Sequence, residues 1–374
     1  MKVLFIAPQP PPINGQSILA KRFLDALHES NYETDIVDFS KDSHVDGIDS
    51  VGRIVEVLRL IGEVRRKQRT ADKIYLQISE SLAGNFKDLC FFFVCRKKLD
   101  RMYIQLHGGT INSNIYQKYS LLYRLNRYFI SRLGGVLVSG TSHLPTFDDK
   151  IDASRIRIIP NFAKDDLFVE ERVVTRKFDH PPVYHILYMS SLIPMKGYLL
   201  HLEAIERMAP ALRARFHFDF AGGFANETDK ADFLRRIEAF PNVEYHGLVS
   251  GEAKQQLFAR AHALCLPTLY FEGQSVCVLE AYAAGCYVIT TAKGGLVDVF
   301  TDQVNGYRLA ENSNDSIIEA HRYLLDHPAE VAATAQQNRL TALQLYKPEA
   351  YDRMSVEALH LTYQPAPKRK TQRT

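Results

Sequence analysis

Short runs rich in β-branched and other apolar residues alternate with longer amphipathic stretches through most of the 374-residue chain. This alternation favours βαβ units, parallel sheets and an α/β fold, because each strand and each helix stripe must find an apolar partner. Residues 3–7, 34–38, 73–78, 102–106, 135–139 and 156–159 read as strands, with helices at 16–29, 53–68 and 119–132 among them. Further on, strands are expected at 185–189, 216–221, 243–246, 263–266 and 287–290, and helices at 198–208, 251–261 and 275–284. Between the two halves, residues 165–182 lose their periodicity in a run of charges and a His-Pro-Pro, which places a linker there. Two α/β domains follow, over 1–170 and 183–345, facing each other across a cleft, with a last helix from 348 onward.

Composition removes several classes of function. With 46% hydrophobic and 24% charged residues the chain is an ordinary globular protein and neither a disordered regulator nor a disulfide module. Its 46 basic against 43 acidic residues leave a net charge of +3, which gives no reason to expect a nucleic-acid partner. Five cysteines without C-x2-C spacing read as reduced, buried thiols of a cytoplasmic protein. The opening MKVLFIAP is too short an apolar run for an export signal and reads as a first strand. No apolar run approaches the length of a spanning helix, so any membrane contact is expected to be peripheral.

Open parallel sheets bind ligands on the loops at the carboxyl ends of their strands. The richest such loop lies in PTLYFEGQSVCVLEAYAAG, residues 267–285. There Gly273 permits close backbone approach, and the first N–H groups of the following helix, at Ser275 and Val276, form an anion site. Glu280 is placed to accept hydrogen bonds from a ribose diol, and Glu272 from hydroxyls on the far side of that anion; two glutamates on a solvated face is the plainer alternative. Lys196, in the loop 188–197, suits a diphosphate or is simply an exposed lysine. In the first half, His107 and Gly108 close a strand, and residues 10–17 with Gly15 follow another. G-x-G-x-x-G, a P-loop and Asp-x-Asp are all absent, which disfavours a dehydrogenase and a metal-bound diphosphate.

The run 272–285, with Lys196-Gly197, His107-Gly108, Gly15 and Gly294-Gly295, resembles the retaining glycosyltransferases of family 4 (group 1). That resemblance implies the GT-B fold: an acceptor-side Rossmann-like domain over 1–170, completed by a C-terminal helix within 348–374, and a donor-binding domain over 183–345. It further implies catalytic roles for His107 near the reacting carbon, Glu272 on the transferred sugar and Lys196 on the diphosphate. Gly15, Lys196, Gly273, Gln274, Ser275, Val276 and Glu280 would bind the donor, and backbone at 247–249 would edge the base. The reaction implied is metal-independent and cofactor-free hexosyl transfer with retention, from a nucleotide diphosphate sugar, foremost a UDP-sugar. Its acceptor would be a saccharide or polyprenol-linked glycan in bacterial surface polysaccharide synthesis. One departure stands out: Ser190-Ser191-Leu192 replaces the family's Gly-Arg-Leu, so a phosphate-facing arginine is missing at Ser191.

A nucleotide-sugar epimerase and a non-catalytic nucleotide-sugar-binding protein are the alternatives on the same scaffold. Three segments, 53–69, 86–101 and 119–132, mix basic and apolar residues. They are either core-facing helices with solvated rims or a cationic, aromatic surface resting on anionic lipid at the inner face of the cytoplasmic membrane. The basic tail 367–374 reads as a frayed end or a weak lipid anchor.

Overall fold

The computed structural model describes residues 1–11, 15–40 and 51–365. Residues 12–14 of the first loop and the basic tail 367–374 therefore lie outside the described residues. By their contacts, Met1–Pro160 with Glu349–Thr374 form one unit and Asn161–Pro348 a second.

Unit 1 is built on six parallel strands: β1 (Lys2–Ile6), β2 (Glu33–Val37), β3 (Lys73–Gln77), β4 (Met102–Leu106), β5 (Gly135–Val138) and β6 (Ile156–Ile158), in the order β2-β1-β3-β4-β5-β6. Every residue of β4 is buried, as expected for an inner strand of a parallel sheet covered on both faces. The polar exception, Gln105, accepts a hydrogen bond from Tyr75 Oη at 2.5 Å. The C-terminal helix Pro348–Ala358 docks on the first helix, Gly15–Glu29. Arg22 Nε donates to the buried Asp352 carboxylate at 2.7 Å, and Tyr351 Oη donates to Leu19 O at 3.3 Å.

Unit 2 repeats the plan with β7 (Tyr184–Met189), β8 (Phe216–Ala221), β9 (Val243–Tyr245), β10 (Ala263–Leu266), β11 (Tyr287–Thr290) and β12 (Gly306–Arg308). Their order is β12-β11-β10-β7-β8-β9, all parallel, so the chain winds outward in opposite directions from the β7/β10 pair.

Several sequence expectations need correction. The segment read as a linker belongs to unit 2: it contains the helix Glu171–Lys177, and the chain passes between units at Pro160 instead. One buried apolar residue, Val174, anchors that helix, and Val169 N–H donates to Ala283 O, so charges on its outer side conceal its packing in the sequence. Strand β12 was missed because it has three residues and only its first is buried. The cysteines are all unpaired thiols, but Cys90 is exposed on the outer side of the helix Leu82–Val94 and Cys277 is half-buried.

The core of unit 2 holds two histidines among phenylalanines. His201 and His321 are fully buried, with ring centres 5.4 Å apart and Phe218 within 5.8 Å of both. Burial pushes both imidazoles down, His321 to about 4, so the folded chain refuses a proton that the unfolded chain takes up near its ordinary 6.5. Stability is therefore withdrawn as pH falls from 6.5 towards about 4, by about 2 kcal/mol at about pH 5 for His321 alone. His321→Phe should flatten this acid limb in urea titrations at neutral and mildly acidic pH; an unchanged acid loss would show that His321 does not govern it.

Candidate functional site

Two loops meet where the strand order of unit 2 reverses, the position at which open α/β sheets offer a crevice. The loop after β7 turns through Pro194–Lys196 and ends at Gly197, whose φ is +81°. A Cβ at Gly197 would stand 2.0 Å from Pro267 O, so only glycine allows this loop to press against the one after β10. Leu269 and Tyr270 N–H both donate to Met195 O at 2.8 Å, which joins the two loops. From behind, Gly295 N–H donates to Glu272 O at 2.8 Å, and a Cβ at Gly294 would meet that same oxygen at 2.3 Å.

Both glutamates singled out by the sequence are buried, and each already has a lysine. Lys196 Nζ donates to both carboxylate oxygens of Glu272 at 2.5 Å, and Thr268 Oγ1 donates to Oε1 at 3.1 Å. Glu280 is only 2% exposed on the apolar helix Val276–Ala283, and Lys254 Nζ donates to its Oε1 at 2.6 Å. Burial pushes the Glu280 carboxyl up, and Lys254 offsets part of that rise. Unbound, the two carboxylates are thus satisfied by cations, because a lone buried charge would be far more costly. Lys196 was expected to face a diphosphate; here it neutralises Glu272, and it would have to be shared with an incoming anion.

Gln274 uses its side chain structurally: Oε1 accepts from Asn161 N–H at 2.5 Å, while Asn161 Nδ2 donates to Gln274 O at 2.8 Å. What remains for a ligand there is backbone, with Gly273, Ser275 and Val276 half-buried at the helix start. Ser191, standing where the resemblance calls for arginine, is exposed. Gly247 has φ +67° with open space beside it, and the neighbouring Leu248 is 84% exposed.

In unit 1, His107 follows β4 and is buried, with no hydrogen-bond partner at either ring nitrogen among the described residues. Burial, and secondarily nearby His143, push this imidazole down to about 3, so it is neutral at physiological pH. A Cβ at Gly108 would fall 1.6 Å from Glu80 Oε2, and Glu80 Oε1 accepts the N–H groups of Thr110 (2.5 Å) and Ile111 (3.1 Å). Gly15 opens the helix Gly15–Glu29, and among the described residues outside its own helix nothing lies within 4 Å of a built Cβ.

Sequence reading missed Lys254, Thr268 and Glu80. A signal existed for Glu80, three residues past the end of β3, under the same strand-end rule that selected His107. Groups able to ligate a metal among the described residues are His201, Cys265 and His321; His185, His217 and Asp219; and Asp219, Glu244 and His246. None of these includes Lys196, Glu272 or Glu280.

Residues 171–341, which lie in unit 2, match the family described as Glycosyl transferases group 1. The chain is 28% identical over 136 residues to an uncharacterized glycosyltransferase of Methanocaldococcus jannaschii, covering 35% of this chain and 33% of that protein. It is also 28% identical over 150 residues to the lipopolysaccharide 1,2-N-acetylglucosaminetransferase of Salmonella typhimurium, covering 38% and 39% respectively. The matched stretch thus spans between a third and two fifths of these relatives. In architecture the chain is similar to Anabaena HepE, solved in complex with UDP and glucose, with a TM-score of 0.71 at 15% identity over 96% of this chain and 99% of that one. This likeness shows the fold, two parallel six-stranded sheets with helices, of the GT-B type.

Removing the cation from a buried pair costs about 3–5 kcal/mol because the carboxylate is left uncompensated. Lys254→Met should therefore destabilise unit 2 by an amount approaching this range, and Glu280→Gln in the same chain should restore much of it. Chemical denaturation of the two single variants and the double variant measures the coupling; additive losses would mean that the pair is not a unit.

Proposed function

We propose that this protein is a glycosyltransferase that moves a sugar from a nucleotide diphosphate sugar to a hydroxyl of a saccharide or lipid-linked glycan, in assembly of a bacterial surface polysaccharide. The carrying observation is the pair of buried, lysine-held glutamates, Glu272 and Glu280, flanking a helix start at the β7/β10 reversal. In this reading unit 2 holds the donor: Glu280 takes the ribose hydroxyls, the backbone at Gly273, Gln274, Ser275 and Val276 faces the diphosphate, and Glu272 takes hydroxyls of the sugar. A UDP-sugar is the proposed donor, supported by the UDP complex of Anabaena HepE.

Breaking the bond to a diphosphate leaving group builds negative charge, so stabilisation must be electrostatic and arranged in advance. Lys196 supplies it as the phosphate draws the ammonium away from an exclusive pairing with Glu272. With no arginine at Ser191, the helix N-terminus at Ser275 and Val276 carries a larger share. His107, neutral and with both ring nitrogens unpartnered, can donate one N–H to a sugar hydroxyl without adding charge. Gly15 would let the chain at the start of the first helix approach the donor phosphates. We read the transfer as metal-independent, cofactor-free and retaining, with the departing phosphate accepting the acceptor's proton on the same face. Unit 1 would receive the acceptor, at the inner face of the cytoplasmic membrane.

Lys196→Ala is expected to reduce turnover about tenfold or more, since loss of a single charge-stabilising contact commonly costs that much; turnover within about threefold of wild type would remove Lys196 from the leaving-group role. A thermal-shift panel of UDP-, GDP-, ADP- and dTDP-sugars tests the donor site. Saturating ligand at about a hundredfold over its Kd adds roughly 2.7 kcal/mol. A shift with UDP-sugars is expected, and silence across the panel would overturn the reading.

A further inference from the structure

Three helices of unit 1, Val51–Lys67, Leu82–Val94 and Ser120–Ile130, pack in a row, the second touching both others. Each turns large apolar side chains to solvent: Ile54 and Leu58 on the first, Phe86 and Phe93 on the second, Leu121 and Tyr128 on the third. At 100° per residue, each of these pairs falls within about 40° on its helix, so these are stripes and not scattered residues. Exposed apolar stripes repeated on neighbouring packed helices mark an interaction site.

Each stripe runs into cations at its C-terminal end. The Arg96 guanidinium lies 4.5 Å from the centre of the Phe93 ring, and that of Arg132 lies 3.9 Å from Tyr128. Beyond the ends of the first two helices a cavity of about 490 Å³ is lined by Arg65, Arg69, Arg96, Lys97, Lys98 and Phe93, among others. Lys98 frames it: Nζ donates to Gln68 O, Arg69 O and Ala71 O at 2.8, 3.0 and 2.9 Å. No carboxylate among the described residues pairs with Arg65, Arg69, Arg96 or Lys97. Like charges gathered round one cavity repel each other, and an anion there would relieve that repulsion. Guanidinium groups match the paired oxygens of a phosphate. A soluble anion would account for the cations alone, whereas a lipid accounts for both features, with phosphate in the cavity and apolar stripes in the headgroup boundary.

We propose that this three-helix face docks on an anionic bilayer and that the cavity takes the phosphate of one lipid headgroup. The proposal rests on the lipid-linked acceptor reading only in giving the enzyme a reason to be at a membrane. Full-length protein should co-sediment with phosphatidylglycerol-containing vesicles and not with pure phosphatidylcholine vesicles. Arg65→Gln with Lys97→Gln should weaken that partition by about 25-fold, roughly fivefold for each cation, from the ~1 kcal/mol that one basic residue contributes at an anionic surface. Phe86→Ser with Phe93→Ser should weaken it several-fold even at raised salt, where the electrostatic part is screened. Equal binding to neutral vesicles, wild-type binding by either double variant, or release by inorganic phosphate at constant ionic strength would each overturn the proposal, the last by assigning the cavity to a soluble anion. A UDP-sugar thermal shift without vesicle binding would fail this proposal alone; vesicle binding without a donor shift would fail only the transferase reading.

Discussion

Lys196 and Glu272 form the contact on which the rest of unit 2's site depends. A carboxylate this well buried needs a cation, and Lys196 reaches it where the β7 loop presses onto the β10 loop. That approach explains the left-handed Gly197 against Pro267 O, the paired amides on Met195 O, and the two glycines that let residues 294–295 close on the Glu272 backbone. The proposed handling of a leaving diphosphate by Lys196 rests on this same contact.

Glu280 follows the same logic one turn into the next helix, with Lys254 as its partner. Two buried acids held by two lysines make a site that is neutral in sum and polar in detail. Such a site can exchange an internal hydrogen bond for one to a hydroxyl-rich ligand without stranding a charge. His107 in unit 1 is the opposite case: it is buried, neutral and unpartnered at both nitrogens. Buried polar atoms without partners call for an explanation, and the proposed contact with a sugar hydroxyl is the one offered for His107.

The outer helices of unit 1 divide their residues in a way that packing alone does not require. Their inner faces supply core residues such as Leu60, Val64, Phe91, Phe92 and Phe129, while their outer faces keep equally large apolar residues in water beside cations that no carboxylate among the described residues pairs. A helix serving only the core gains nothing from the second stripe, since exposed apolar surface is costly.

Most strands were legible from the sequence to within a residue at each end, because inner parallel strands are uninterrupted apolar runs bounded by polar turns. The strand-end rule likewise pointed to Glu272, Glu280, Lys196 and His107. Strand β12 and the helix Glu171–Lys177 were not legible, being short and having one buried residue each. Local periodicity thus determined the α/β class, the positions of the strands and the loops that could carry chemistry. Only the tertiary structure decided which cation meets which carboxylate, that Gln274 serves Asn161, and that Glu80 lies over Gly108. Those contacts join residues between 26 and 113 positions apart, and they depend on strand order, which local patterning leaves open.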